Sequence, residues 1–424
     1  MPRKLTAPED SDYLSDMVAT RLVLHLGLYL FATTFGLADD WPRWRGPDLN
    51  GISKEAGWTT AWPKEGPRQL WKASVGIGFS SLAVAQSRVF TLGNADDTDT
   101  VFCFDAETGR PLWKHSYACP LDAKYYEGGP GSTPTVDGVK VFTLSKRGHL
   151  FCFDTASGRV AWSKDLMAEL GAKKPEWGFA GSPLVEGNLL ILNLGGAGTA
   201  VDKATGSVIW KSDTSAAGYA TPVPFVANGE RCVAVFSGKS LLGVRVRDGQ
   251  PLWSHSWVTK WDINAADPLV IDDKLFVSTF DRGCALLKAG SGTPAVVWEN
   301  KNIANHFNSC VNLNGFAYGV HGNTDHPDRD FRCLDLTTGA VKWKQTGFGL
   351  GSVMAADGKL IILSDRGELV VAEATPERFQ ALARAQVLGG KCWTVPVLAN
   401  GRIYCRNAQG ILICLDVRGA TRDP

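Results

Sequence analysis

The sequence predicts an all-β fold: an eight-bladed β-propeller of four-stranded antiparallel blades, its ring closed by an N-terminal outer strand. Three observations carry this. A phrase made of an apolar strand, an Asp, a turn ending in Gly and a Trp recurs along the chain. Its tryptophans (Trp71, Trp113, Trp162, Trp210, Trp253, Trp298 and Trp343) are spaced by 42, 49, 48, 43, 45 and 45 residues. The two ends of the repeat region each hold a fragment that only the other end completes.

The phrase reads VFCFDAETGRPLW, LFCFDTASGRVAW, GTAVDKATGSVIW, LLGVRVRDGQPLW and FRCLDLTTGAVKW, with a looser copy, LLKAGSGTPAVVW. Gly109, Gly158, Gly206, Gly249 and Gly339 each follow a polar residue, and these pairs read as turns in which glycine takes the left-handed position. Asp105, Asp154, Asp202 and Asp335, four residues before their glycines, can accept from turn amides. Each Trp opens the next strand and offers a large apolar face to a neighbouring unit. Before each such hairpin lies another, as in STPTVDGVKVFTLS, GSPLVEGNLLILNL and ADPLVIDDKLFVST. A repeat is therefore four strands in roughly 45 residues, the size of a propeller blade.

Counting gives eight blades. The seventh ends in ELVVAEATPERFQALARAQV, where no Trp appears. The eighth stops after ILICLDVRG with no outer strand, while QLWKAS at 69–74 is an outer strand with no blade before it. Pairing the two closes the ring and removes both open edges. The organisation expected is a leader over 1–38, an extended segment over 39–68, a propeller over 69–418 and a short tail over 419–424.

These Asp-x-x-x-Gly-x-x-x-Trp copies resemble the repeats of pyrroloquinoline-quinone (PQQ) propellers. Residues 39–418 are similar to the PQQ-like proteins grouped with the propeller subunit of the outer-membrane barrel-assembly machinery. WPRWRGPDLNGIS, LWKASVGIGFSSLAV, WDINAADPLV and NHFNSCV resemble that family's secreted bacterial branch. The resemblance implies the propeller fold and an extracytoplasmic compartment. It also raises PQQ with Ca²⁺ as a cofactor held at the axis beside an Asp base. The alcohol-oxidising members are longer and carry a vicinal cysteine pair, and this chain has neither.

Compartment is also legible in the N-terminus. Arg21, the apolar stretch 22–35 and Gly36-Leu37-Ala38 follow the layout of a secretory signal peptide, and the stretch is short for a membrane span. Acidic residues at 9–16 fit that layout poorly, so Met17 is an alternative start. Cleavage after Ala38 would leave an exported, periplasmic or extracellular protein without a transmembrane segment. No Cys follows Ala38 to take a lipid. A monomer is expected.

Lys and Arg total 44 against 43 Asp and Glu, without a basic run, which argues against nucleic acid as a partner. Of the 10 Cys, Cys103, Cys152, Cys333 and Cys414 share one repeat position and read as small buried hydrophobes. Their spacing has no zinc pattern, and C-x-x-C-H is absent. No G-x-S-x-G occurs and the seven His are scattered. His321, Asp325, His326, Asp328 and Asp330 are metal-capable, but GVHGNTDHPDRD reads first as a solvated loop.

A ligand site, if the chain has one, belongs at the mouth of the channel, where loops lead into the innermost strands. Those loops cover 76–80, 125–131, 176–179, 217–219, 260–264, 305–308, 348–351 and 391–393. They concentrate Tyr126, Glu127, Trp177, Tyr219, Trp261, Asp262, Asn264, His306, Asn308, Lys391 and Trp393. Asp262 is the candidate acceptor or base and His306 the donor or proton carrier. Asn264 and Asn308 supply amides, and the tryptophans flat apolar walls. The competing reading is that the rings plug the channel and the polar groups cap loop backbones. Three functions follow: a non-catalytic propeller that binds a protein or another ligand, a PQQ-dependent oxidoreductase, or an outer-membrane assembly factor.

Overall fold

The computed structural model describes residues 40–290 and 292–419. The leader, with its signal-peptide reading, lies outside them, as does all but the first residue of the tail. Among the described residues no helix is long and apolar enough to cross a membrane.

Eight antiparallel four-stranded blades are arranged in chain order, and the blade 7 sheet gains a short fifth strand in parallel from the N-terminal segment. Blade 1 comprises Ala83–Ala85, Arg88–Ala95, Thr98–Asp105 and Pro111–Ala118, from the axis outward. Blades 2 to 7 repeat the order. In blade 1 the second strand is almost wholly buried, the third alternates, and the outermost keeps no fully buried residue. The gradient has a plain cause: strands near the axis are covered by neighbouring blades on both faces, and the rim is not.

The ring closes as the sequence predicts. Blade 8 holds Val397–Ala399, Arg402–Arg406 and Ile411–Asp416, and its outer strand is Gln69–Ser74 from the other end of the chain. Trp71 pairs with Cys414 and Ser74 with Ile411. Buried Arg406 secures the joint by donating to the carbonyls of Ser80 and Leu92 and to Thr91 Oγ1 in blade 1. Burial without a carboxylate partner lowers its pKa to about 9.

Each repeat residue has a visible task. Asp105 Oδ1 accepts from Thr108 N at 2.9 Å and Thr108 Oγ1 at 2.8 Å, and Asp154 and Asp202 repeat the arrangement. These bonds to the ionised form hold all three carboxyls below the usual range. Asp335 caps its turn through Thr337 N and Thr338 N. In blade 4 Arg245 occupies the Asp position and binds Asp248 of the turn at 2.9 Å.

The tryptophans join one blade to the next. Trp71, Trp113, Trp162, Trp210 and Trp298 lie across Gly109, Gly158, Gly206, Gly249 and Gly339, where a Cβ would come within 2.5–2.9 Å of the indole. Their indole N–H groups, and that of Trp343, donate to backbone carbonyls in the following blade. Trp253 faces the looser copy, where Gly290 and Gly292 have no atom within 4 Å of where a Cβ would sit, and its Nε1 has no hydrogen-bond partner among the described residues. Cys103, Cys152, Cys333 and Cys414 sit opposite tryptophans in the same blade, buried and unbridged. Burial holds the Cys103 thiol up at about 12, far from the reactive thiolate form.

Residues 40–57 differ from the extended segment expected. They run through turns over 44–49 and form a strap that reaches from blade to blade. Trp41 exchanges backbone hydrogen bonds with Val84 of blade 1, and Pro42 O accepts from Val136 N of blade 2. Leu49 packs against the core shared by blades 3 and 4. Arg45 Nη2 donates to Cys310 O ahead of blade 6, Ile52–Ser53 pairs parallel with blade 7, and Glu55 accepts from Gly401 N of blade 8. Short polar and glycine residues let the strap turn between these docking points.

Candidate functional site

The lead-in loops are fixed by a belt of hydrogen bonds around the axis. Ser81 N donates to Thr133 Oγ1 (3.2 Å), Thr133 N to Ser182 Oγ (2.9 Å) and Ser182 N to Thr221 Oγ1 (3.0 Å). Thr221 N donates to Asp267 Oδ1 and Asp267 N to Ser309 Oγ, both at 2.8 Å. Ser352 Oγ and Ser81 Oγ carry the belt across blade 8 by donating to Thr394 O and Val395 O. Each blade so positions the loop of the next.

In this belt Asp267 is a carboxylate where its neighbours are hydroxyls. Trp44 of the strap donates its indole N–H to Asp267 Oδ2 at 2.5 Å, and Arg45 Nε lies 3.9 Å from the same oxygen. Burial raises the Asp267 carboxyl while Arg45 and Trp44 pull it back. The strap is thereby pinned to the axis, and Trp44 forms part of the cavity lining.

Above it opens a cavity of about 1610 Å³. Its wall is a nearly continuous collar of rings. Tyr126 meets Phe79 at 5.5 Å between centroids, Phe79 meets Trp393 at 5.6 Å, and Trp393 meets Phe307 at 4.7 Å. Phe307 then meets His306 at 4.9 Å, and His306 meets Phe280 at 5.0 Å. Trp177 and Tyr219 form a further pair at 6.0 Å, tied to the collar by Tyr126 Oη donating to Trp177 O. Burial in this wall pushes the Tyr126 phenol up to about 12.

Of the residues expected at the mouth, Tyr126, Trp177, Tyr219, Trp261, Asp262, His306, Asn308 and Trp393 line this one cavity. Asn308 also knits the wall, its amide donating to Gly351 O and Trp393 O. Three expected residues stand elsewhere. Asn264 is fully buried behind the wall, where its amide caps the carbonyls of Ser237, Gly238 and Trp257. Glu127 and Lys391 bind each other at 2.8 Å outside the lining, and Lys391 Nζ sits 4.3 Å from the Trp393 ring centre. These three behave as loop scaffolding.

Asp262 and His306 share the cavity, but among the described residues no hydrogen bond joins them. Asp262 lies 3.8 Å from Lys239, and His306 is wedged between Phe280 and Phe307 with Nδ1 buried and unpartnered. Burial lowers the His306 pKa to about 4, against a weaker pull from Asp325. A histidine so neutral is poorly matched to proton transfer near pH 7. The stretch expected as one loop is a loop only in part: His321 ends the strand Phe316–His321 and Asp330 opens the strand Asp330–Asp335, where Arg332 takes it, while in the turn between them His326 Nδ1 accepts from Asp328 N.

Several lining residues escaped the sequence reading. Phe79, Phe307 and Phe280 have no signal beyond being aromatic near a turn. Trp44 and Asp267 do carry one: WPRWRG, and an Asp in ADP where other blades have Ser or Thr.

The family model described as outer membrane protein assembly factor BamB matches residues 56–126, 100–345 and 328–423. The chain belongs to this BamB family. None of the curated proteins compared matches the sequence. Among solved structures, BamB from Moraxella catarrhalis is similar at a TM-score of 0.61 with 14% identity, covering 82% of this chain and 99% of that one. Quinohemoprotein alcohol dehydrogenase ADHIIG from Pseudomonas putida HK5 gives 0.65 with 13% identity over 91% and 81%. A europium-containing methanol dehydrogenase gives 0.66 with 11% identity over 89% of each chain. At such identities the likeness is one of fold.

The residues of this BamB-family propeller do not fit a quinone–calcium centre. Among the described residues no three His, Cys, Asp or Glu side chains converge to hold a metal. The axial carboxylate, Asp267, is already engaged by Trp44, Arg45 and Thr221.

Proposed function

We propose that this protein is an exported, non-catalytic propeller that captures a ligand or partner in the cup at its channel mouth, with the blade rims as a further docking surface. The observation that carries this reading is the aromatic collar over a floor held by the strap. It is a large, walled concavity of the kind that binds, and Asp262 and His306, the acid–base pair expected from the sequence, are uncoupled there. Asp262 is paired with lysine, and His306 is kept uncharged by two phenyl rings. Export rests on the leader pattern before Asp39 and on the family's name.

The test has two arms. Purified protein supplied with PQQ, Ca²⁺ and a dye acceptor is expected to leave the dye oxidised across a panel of alcohols and sugars; steady turnover would overturn the non-catalytic reading. Immobilised wild type and Trp177→Ala are then incubated with the host's exported fraction. A component retained by wild type and lost on Trp177→Ala, with unchanged melting, is expected. A second reading, outer-membrane protein assembly, is favoured by the family description and calls for co-purification with outer-membrane components.

A further inference from the structure

The cup has two ring side chains that the collar does not explain. Tyr125 is 89% exposed and Trp261 is 67% exposed, and they are the only aromatics among the exposed large hydrophobic residues described. The same two are the only aromatics described with positive φ, 63° at Tyr125 and 68° at Trp261, and Asp262 follows at 55°. Bulky residues enter this region only when the surroundings force them, and such outliers concentrate at ligand sites. Nothing in the collar rewards the strain, because neither ring is buried by it. Both belong to the cavity lining, in the loops leading to blades 2 and 5. Each carries a lysine over its ring, Lys124 at 5.9 Å from Tyr125 and Lys260 at 5.5 Å from Trp261.

The chemistry of the remaining lining narrows the ligand. Five lysines line the cavity against five carboxylates, without any arginine. Lys146 and Lys174 are committed to Asp122, and Lys124 to Glu176. Such a balance gives no net field for a polyanion or a polycation. What it supplies is both donors and acceptors between flat apolar faces, with His306 Nδ1 buried and without a hydrogen-bond partner among the described residues. A hydroxyl both donates and accepts, so it is served by either kind of group. The volume, about 1610 Å³, exceeds the roughly 300–1,000 Å³ that takes one drug-sized molecule. The ligand is therefore extended.

We infer that the cup binds an uncharged oligosaccharide, whose pyranose C–H faces lie on Trp261 and Tyr125 at the lip while its hydroxyls reach the lysines, carboxylates and His306 below. This inference rests on the capture reading above and gives its site a ligand class.

The test is affinity electrophoresis of the folded, purified protein in native gels. The gels hold galactomannan, xyloglucan, mixed-linkage β-glucan or dextran, and parallel gels hold polygalacturonate or a soluble neutral peptide polymer. At least one neutral glycan is expected to retard wild type. Trp261→Ala and Tyr125→Ala are each expected to weaken that retardation about tenfold, the scale of a lost stacking contact, with melting unchanged because both rings are exposed. Retardation by no neutral glycan overturns the inference, as does retardation that survives in both variants. Binding only to polygalacturonate or to the peptide, lost on Trp261→Ala, would remove the glycan and leave the capture reading intact. Loss of both would remove both.

Discussion

Trp113 lies flat across Gly158 of the next blade, and its indole N–H donates to Thr155 O at 2.9 Å. The two residues depend on each other. A Cβ at Gly158 would sit 2.5 Å from the indole, on a backbone at φ +69° that side chains avoid. Gly158→Ala is therefore expected to cost about 2 kcal/mol or more, from overpacking and backbone strain together. Chemical denaturation of the single variant measures it.

The same joint differs at Trp253, whose indole N–H has no partner. Trp113→Phe should lose about 1 kcal/mol of hydrogen-bond stability beyond the change in packing. Trp253→Phe should lose only the packing. Equal losses in paired denaturation curves would contradict the assignment.

Deleting residues 69–74 is expected to abolish a cooperative melt rather than trim one strand. Gln69–Ser74 completes blade 8, and its loss bares the edge of Ile411–Asp416 together with the surface that Trp71 covers. Thermal unfolding and size-exclusion chromatography follow the outcome, with aggregation expected.

Arg45→Ala should be more damaging than Arg45→Met combined with Asp267→Leu. The single change strands a buried carboxylate that also holds Trp44 and Thr221, at a cost of about 3–5 kcal/mol. The double change removes both charges. Denaturation curves rank the two, and limited proteolysis of residues 40–57 reports whether the strap has lifted.

Stability should fall as pH drops through the window from 6.5 to about 4. His306 is held near 4 in the folded protein and returns to its ordinary value on unfolding, so the unfolded chain binds the extra proton across that interval. The folded-state pKa is the lower one, and the loss therefore occurs on acidification. Roughly 1–3 kcal/mol is at stake, and His306→Phe should flatten this part of the profile. Melting temperatures at half-unit pH steps would detect the change.

Periodicity made the fold readable. The Asp, Gly and Trp of each repeat answer to local turn chemistry and to one neighbour, both of which recur at a fixed spacing. The orphan strand at 69–74 was legible for the same reason. The mouth was readable as a set of loops, which brought eight of the expected residues into one cavity. It was not readable in detail, because loop residues of one type serve two ends. Asn264 and Asn308 look alike in sequence, yet one caps carbonyls behind the wall while the other also lines the cup. Phe307 packs at a tilt against Trp393, 86 positions later in the chain, and no pattern along the chain announces that pair. The strap was harder still, since its partners are spread around the ring, from Val84 to Gly401.

That strap has a consequence for how the molecule comes into being. Glu55 and the Gly401 amide it binds are 346 positions apart, and Trp41 is already committed to blade 1. A chain made from its N-terminus must leave Glu55 without its Gly401 partner until the last blade is complete. Assembly therefore ends where synthesis began. One N-terminal stretch thus holds both blade 1 and blade 8, through Trp41, Glu55 and Trp71, and the two are expected to come apart together.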